Sequence, residues 1–439
     1  MDADLVALLR ELVAIPSMNP YRSETLEPGY GEARLAERVA AFLRDAGLAV
    51  ELHEIAPGRV NVLARLEAAQ PGPEESHAEA AEKAKRGEHA EKHGAKGEAP
   101  NPESGIWNVE SGILFVAHLD TVPVEGMTVP PFEGRVKDGR LYGRGACDNK
   151  GSLAAMLTAL RCVAAAKSNP APILFAGTAD EESGYRGVRA ALRCVAQPPS
   201  AVHLPRAAFV GEPTGLNIVI AHRGVVRWAI TQRGKSAHSA HPEQGVNAIY
   251  KMTPVLRDLE TLAAEIARRP AHPLVGPPTL SVGTVRGGHS VNTVPDQCVI
   301  EVDRRLVPGE SPDAAEAEVR AVAERHGATI ERFFCAGAFE VPPDVLPARM
   351  ARRAVEAVVE KLDADSEIGN RKSEIGNFIG VAYATEAPEV LDAGIPVVVL
   401  GPGDGSKAHS VDEFIALDQL EMAERVYEHL MSQPVETPE

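Results

Sequence analysis

Apolar positions along the chain follow two rhythms. Leu5, Leu8, Leu9 and Leu12 recur at helical spacing, and Ile15-Pro16 closes that helix; residues 32–46 read as a second amphipathic helix, stopped by Gly47. Residues 60–66, 113–117, 173–177 and 207–211 are short apolar runs, several of them apolar throughout, the pattern of strands buried on both faces. Helices at 152–166 and 187–195 fall between them. This alternation predicts an α/β sheet covered on both sides.

Two stretches break the order. Residues 67–110 are rich in Ala, Glu, Lys, Gly and Pro, with almost no large apolar residue before Ile106, and read as a flexible insertion. Its His77, His89 and His93 suit solvated loop histidines or, less simply, a metal-binding tract. The pentapeptide SEIGN at 366–370 returns at 373–377, a duplicated surface loop to which no function is assigned.

Residues 222–336 have a different grammar. Strand 222–232, helix 245–267, strands 279–285 and 297–306, helix 312–326 and strand 329–335 make the β-α-β-β-α-β order of a ferredoxin-like α+β unit. The expected organisation is a large α/β domain from 1–221 and 337–439, with 222–336 inserted. Helix 345–362, a strand at 397–400 and a helix near 417–431 return the chain to the large domain.

A length of 439 residues fits two cores better than one. The net charge of −17 argues against nucleic acid or an anionic membrane as partner. The five cysteines, Cys147, Cys162, Cys194, Cys298 and Cys335, are odd in number and have no C-x-x-C spacing. That disfavours a disulfide framework or a thiolate zinc site and fits a reducing, cytoplasmic setting. The acidic start lacks the basic and apolar regions of a signal peptide, and no run of about 18 apolar residues predicts a membrane span.

Five segments place acids or histidines at or beyond the ends of expected strands, where open α/β sheets bind ligands. In FVAHLDTVP, His118 suits zinc and Asp120, two residues on, could orient it; alone, this motif better suits a structural histidine. In GRGACDNKG, Asp148 could bridge two cations, whereas an anion-binding loop at a helix start is the rival. Cys147 beside it has no histidine partner implied by the loop. In TADEESG, Glu181 and Glu182 can divide the work, one on metal and one as base; an acidic surface turn is the alternative. GEPT contributes Glu212. In LGPGDGSKAHSVDE, His409 is a late ligand candidate, and Gly401 and Gly403 would let substrate approach the backbone.

The ordered set HLDTVP, GRGACDNKG, ADEESG, GEPT and GPGDGSKAHSVDE resembles the di-zinc aminoacylase and carboxypeptidase family, over roughly residues 5–66 and 111–430. The resemblance implies a zinc-peptidase-like catalytic domain with an inserted lid and dimerisation domain. It implies two zinc ions per subunit, with cobalt or manganese as substitutes. One would be held by His118, Asp148 and Glu212, the other by Asp148, Glu182 and His409, with Asp148 bridging. Glu181 would be general base and then acid, and Asp120 would support His118. His238, in GKSAHSAHP, would steady the oxyanion in a neighbouring subunit of a homodimer joined through the lid. Asn292 and Arg305 would contact substrate, Arg305 forking a free carboxylate. Asn149 and Cys147 depart from the usual residues beside the bridging aspartate.

The stretch from Tyr383 to Pro388, with the loop ending at Gly403, resembles acetylornithine deacetylases most. The implied substrate is a small N-acyl amino acid, first N2-acetylornithine in arginine biosynthesis, then N-succinyl-diaminopimelate, then a dipeptide or C-terminal peptide bond. Glu386 would face a substrate ammonium, or else cap a helix or lie on the surface. A catalytically inactive binding relative and a scaffold acting through 67–110 are readings of other classes; retention of Glu181 and every ligand disfavours the first.

Overall fold

The computed structural model describes residues 3–21, 27–69, 112–195, 204–364 and 375–435. Most of the insertion, with His77, His89 and His93, lies outside the described residues, as does the first SEIGN copy. Of the second copy, Ile375, Gly376 and Asn377 are described, and the Gly376 and Asn377 amides donate to Leu216 and Asn217.

Among the described residues, one mixed sheet of nine strands carries the larger core. Its centre is parallel. Strand Ile113–His118 lies between Ile173–Thr178 and Ala207–Val210, and Val397–Val399 pairs on the far side of Ala207–Val210. The first two are buried at all six positions, as apolar runs covered on both faces must be. Helix Lys150–Ala166, buried along most of its length, packs against Leu417–Ser432 and Ala3–Ala14. Phe115 and Phe209 stack with ring centroids 5.3 Å apart, and Tyr427 meets Phe115 edge-on while donating to the Leu400 carbonyl at 2.7 Å. Truncating a ring so enclosed costs about 3–5 kcal/mol.

The second core belongs to a four-stranded antiparallel sheet in the order Thr279–Gly287, Gln297–Leu306, Gly224–Arg233, Thr329–Ala336. With helices Ala248–Ile266 and Pro312–Arg325 this is ferredoxin-like topology. Both helices start on side-chain caps, Asn247 accepting from the amides of Ile249 and Tyr250, and Ser311 from Ala314. Alternation along the strands turns Val226, Trp228, Ile230, Ile300 and Val302 into this core.

The expected strand at 222–232 is observed as Gly224–Arg233, with His222 ending a separate strand. Ile218–His222 belongs to the large sheet, and the chain crosses at Arg223 to begin Gly224–Arg233 in the small one. Gly224 permits the crossing, since a Cβ there would meet the Ala338 nitrogen at 2.5 Å. Several short or polar strands escape the apolar pattern altogether: Ala49–Ala56 at the sheet edge, and Arg135–Lys137, Arg140–Tyr142 and Phe414–Ala416 in a small separate sheet.

Candidate metal centre

The central strands end together, and their ends hold the chemistry. His118 is the last residue of its strand and lies in register with Thr178; Glu181 and Glu182 follow three and four residues after Thr178, the last of its own strand. Glu212 follows Ala207–Val210, and His409 comes from the loop after Val397–Val399. Asp148 comes from the loop that opens helix Lys150–Ala166. Apart from Asp148, whose loop follows the antiparallel strand Arg140–Tyr142, all are at the carboxyl ends of parallel strands or in the loops beyond them.

These residues converge into two triads with one common member: His118, Asp148 and Glu212, and Asp148, Glu182 and His409. His118 Nε2 is 3.0 Å from Asp148 Oδ1 and 3.8 Å from Glu212 Oε1. His409 Nε2 is 3.3 Å from Asp148 Oδ2 and 3.2 Å from Glu182. Ligands each about 2.0–2.2 Å from one divalent cation stand roughly 3–4 Å apart, so both triads fit such an ion, with the two oxygens of Asp148 divided between them. Nitrogen and carboxylate donors suit zinc and its neighbours, and no cysteine takes part.

The electrostatics demand positive charge. Burial pushes Glu181, Glu212 and Glu182 above the usual carboxylate range. Burial would lower His118, but Asp120 and Asp148 hold it well above its ordinary value. Burial would likewise lower His409, yet Asp148 and Glu182 carry it up to about 11. Without cations the imidazoles take up protons and the acids resist losing them; bound cations invert that order.

Supporting contacts fix His118, the Glu181–Glu182 turn and the Asp148 loop. His118 Nδ1–H donates to the Asp120 backbone carbonyl at 3.0 Å, which leaves Nε2 for a cation. The Asp120 carboxylate, expected to orient His118, lies 3.7 Å from that nitrogen. It accepts instead from Asn19 at 2.7 Å and from the amides of Glu181 and Glu182, each at 3.1 Å. The chain leaves its strand after His118, so the two-residue alternation no longer applies. Asp120 thus ties the histidine to the acidic turn.

Glu413 does the same for the bridging loop. Its carboxylate is fully buried and accepts from the amides of Gly145, Cys147 and Asp148 at 2.9–3.1 Å, and from Arg144 at 2.6 Å. Asp180, in the left-handed region at φ 70, accepts from Arg59, Ser183 and Arg186, while Arg59 forks to buried Glu32. None of these supports has a local sequence signal beyond residence in a motif. Glu386 is neither on the surface nor at the cavity wall. It is buried, accepts from Thr178 at 2.8 Å, and burial raises it to about 8.

A cavity of about 270 Å³ lies against the triads, lined by Asp148, Glu181, Glu212, Tyr185, Arg305 and His409 among others. Arg305 faces it, whereas adjacent Arg304 is buried on the opposite side of its strand and bound to Glu310. Gly401 and Gly403 do not line it. Their closeness is to protein: a Cβ on Gly401 would meet the Glu212 carbonyl at 2.5 Å, and one on Gly403 the Cys147 sulfur at 2.7 Å. Gly405, Ala408 and His409 are the wall residues of that loop. His238 and Asn292 are brought together elsewhere, His238 pairing with Thr293 in a two-stranded ribbon of the small domain. Neither lines the cavity.

A fold of this kind with two carboxylate–histidine triads defines a metal-dependent hydrolase. Residues 114–433 match the model of peptidase family M20/M25/M40, and the chain belongs to that family. It is 32% identical to the acetylornithine deacetylase of Myxococcus xanthus over 327 residues, covering 74% of this chain and 80% of that protein. It is 30% identical to the acetylornithine deacetylase of Vibrio campbellii over 394 residues, 88% of each. Among solved structures it resembles an M20 family metallo-carboxypeptidase from Sulfolobus solfataricus, with a TM-score of 0.71 at 17% identity over 98% and 99% of the two chains. A dipeptidase from Saccharomyces cerevisiae gives a TM-score of 0.71 at 14% identity over 99% and 96%. No helix among the described residues is long and apolar enough to cross a membrane.

Proposed function

We propose that the protein hydrolyses the amide bond of a small N-acylated amino acid, taking N2-acetylornithine to ornithine and acetate. The observation that carries the reaction class is Glu181: it belongs to neither triad, yet lines the cavity against which both stand. The identities to two acetylornithine deacetylases support the substrate.

His118, Asp148 and Glu212 would hold one cation, and Asp148, Glu182 and His409 the other, zinc being the fitting metal. When bound, the pair supplies Lewis acidity that polarises the scissile carbonyl and eases loss of a proton from water. Glu181 accepts that proton and returns it to the leaving nitrogen. The amide held by Asp120 fixes where the Glu181 carboxylate stands. Arg305 receives the substrate carboxylate. His238 and Asn292 lie away from the cavity of their own chain, which supports their serving the site of a second copy through the small domain.

Amine release from N2-acetylornithine, N-succinyl-diaminopimelate and a dipeptide tests the reading. Metal-dependent turnover of the first alone supports it. Turnover confined to either of the others removes the substrate and keeps the chemistry.

A further inference from the structure

We infer that Arg227 is the second arm of a carboxylate clamp, with Asp303 as the positioning residue that sets it beside Arg305. The inference rests on the hydrolase reading above and concerns how the same site selects its substrate.

Arg227 and Asp303 are directly opposed on neighbouring antiparallel strands, and Arg305 is two residues further along the second. Strand alternation turns all three to the face opposite the small core, toward the metal ligands. There Asp303 divides its carboxylate. Oδ2 accepts from Arg227 Nε at 2.9 Å, and Oδ1 from Arg305 Nε at 2.8 Å. Both guanidiniums are thereby held side by side through one edge. Among the described residues, neither has a further hydrogen-bonding partner.

A guanidinium carries five N–H donors in a planar fork, so each arginine keeps its outer pair for a ligand. Phe334, cross-strand from Arg227, lies under its guanidinium at 5.0 Å and restricts its tilt. One acid between two arginines leaves a net positive charge, and both arginines line the wall of the cavity that holds Glu181 and Asp148. Arg227 and Phe334 also border a second cavity of about 480 Å³, so the clamp stands where the reaction chamber meets an outer recess. The ligand chemistry that matches two parallel forks is a carboxylate.

An isolated ion pair at this exposure contributes little to stability, and a structural role for Arg227 would not distinguish one substrate from another. The experiment therefore reads discrimination. The metal-loaded protein is assayed on an N-acetyl amino acid and on its carboxamide, beside Arg227→Gln, Arg227→Lys and Asp303→Asn, with thermal unfolding recorded for each. The clamp predicts that the acid-over-amide ratio of kcat/KM falls about 10- to 100-fold in Arg227→Gln. Lys, which lacks the fork, should restore only part of it. Asp303→Asn should lower the ratio in the same direction. A ratio unchanged in Arg227→Gln, with native turnover intact, overturns the clamp and leaves the hydrolase reading standing. If the native protein cleaves no N-acyl amino acid, both readings fall.

Discussion

The metal centre and the wall that faces it are built on opposite plans. The centre gathers four acids and two histidines around one cavity; His118, Glu181 and Glu212 are buried, and His118, the Glu181–Glu182 turn and Asp148 are each anchored through a backbone group. The wall is the open face of an antiparallel sheet, where Arg227, Asp303 and Arg305 are about one-third exposed and bind one another through side chains alone. Backbone anchoring sets these donors in place before a cation arrives, which suits chemistry. Partly exposed arginines on a separate sheet keep the freedom to close on a ligand, which suits recognition. Damage to the first should therefore abolish turnover, and damage to the second should reweight substrates.

The largest effect is expected from Asp148→Asn. Both triads lose their common ligand, so metal analysis should show depletion at both positions and turnover should be undetectable. Next, Glu413→Gln should weaken metal binding or activity about 10- to 100-fold, because the acceptor of three loop amides and Arg144 loses its charge; a metal titration checks it. Arg305→Gln should leave bound metal unchanged and raise KM for the free acid by about 10-fold or more. Metal loss in that variant would erase the division between centre and wall.

The smallest effect concerns stability. His222, at the end of its large-sheet strand, is fully buried, donates to the Arg223 carbonyl and meets the Thr385 hydroxyl at 3.1 Å. Burial lowers its pKa from 6.5 to about 4. The unfolded chain therefore binds more protons between these values, and stability falls as pH drops through that window. The contribution lost by about pH 4 is about 3 kcal/mol. Denaturant midpoints measured across it should slope less steeply in His222→Gln than in the native protein; identical slopes would contradict the assignment.

The sequence displays what local chemistry dictates. Strands buried on both faces announce themselves as apolar runs, and the six elements of the small domain follow from period alone. Three-residue strands such as Arg140–Tyr142 are too short for any period, and edge strand Ala49–Ala56 mixes Glu51, His53 and Glu54 with apolar residues and is buried at no position. The acids and histidines of the sequence motifs are equally visible, and the structure brings six of them together, Glu181 included. Partnerships made across the fold are not visible. Glu413 finds the Asp148 loop from more than 260 residues away, and Arg227 finds Asp303 through strand pairing. Asp120 shows the limit of a local rule: two-residue spacing suggested a side-chain contact, and the strand's end converted it to a backbone one. Gly401 and Gly403 show another, since close approach was legible while what approaches was not.

The central claim is that Glu181 does proton chemistry beside a centre whose ligands it does not supply. The most direct measurement is bound metal and turnover of N2-acetylornithine by Glu181→Gln beside the native protein. The account predicts full metal content with turnover reduced about 10²- to 10⁴-fold. Native-level turnover, or loss of metal together with activity, would contradict it.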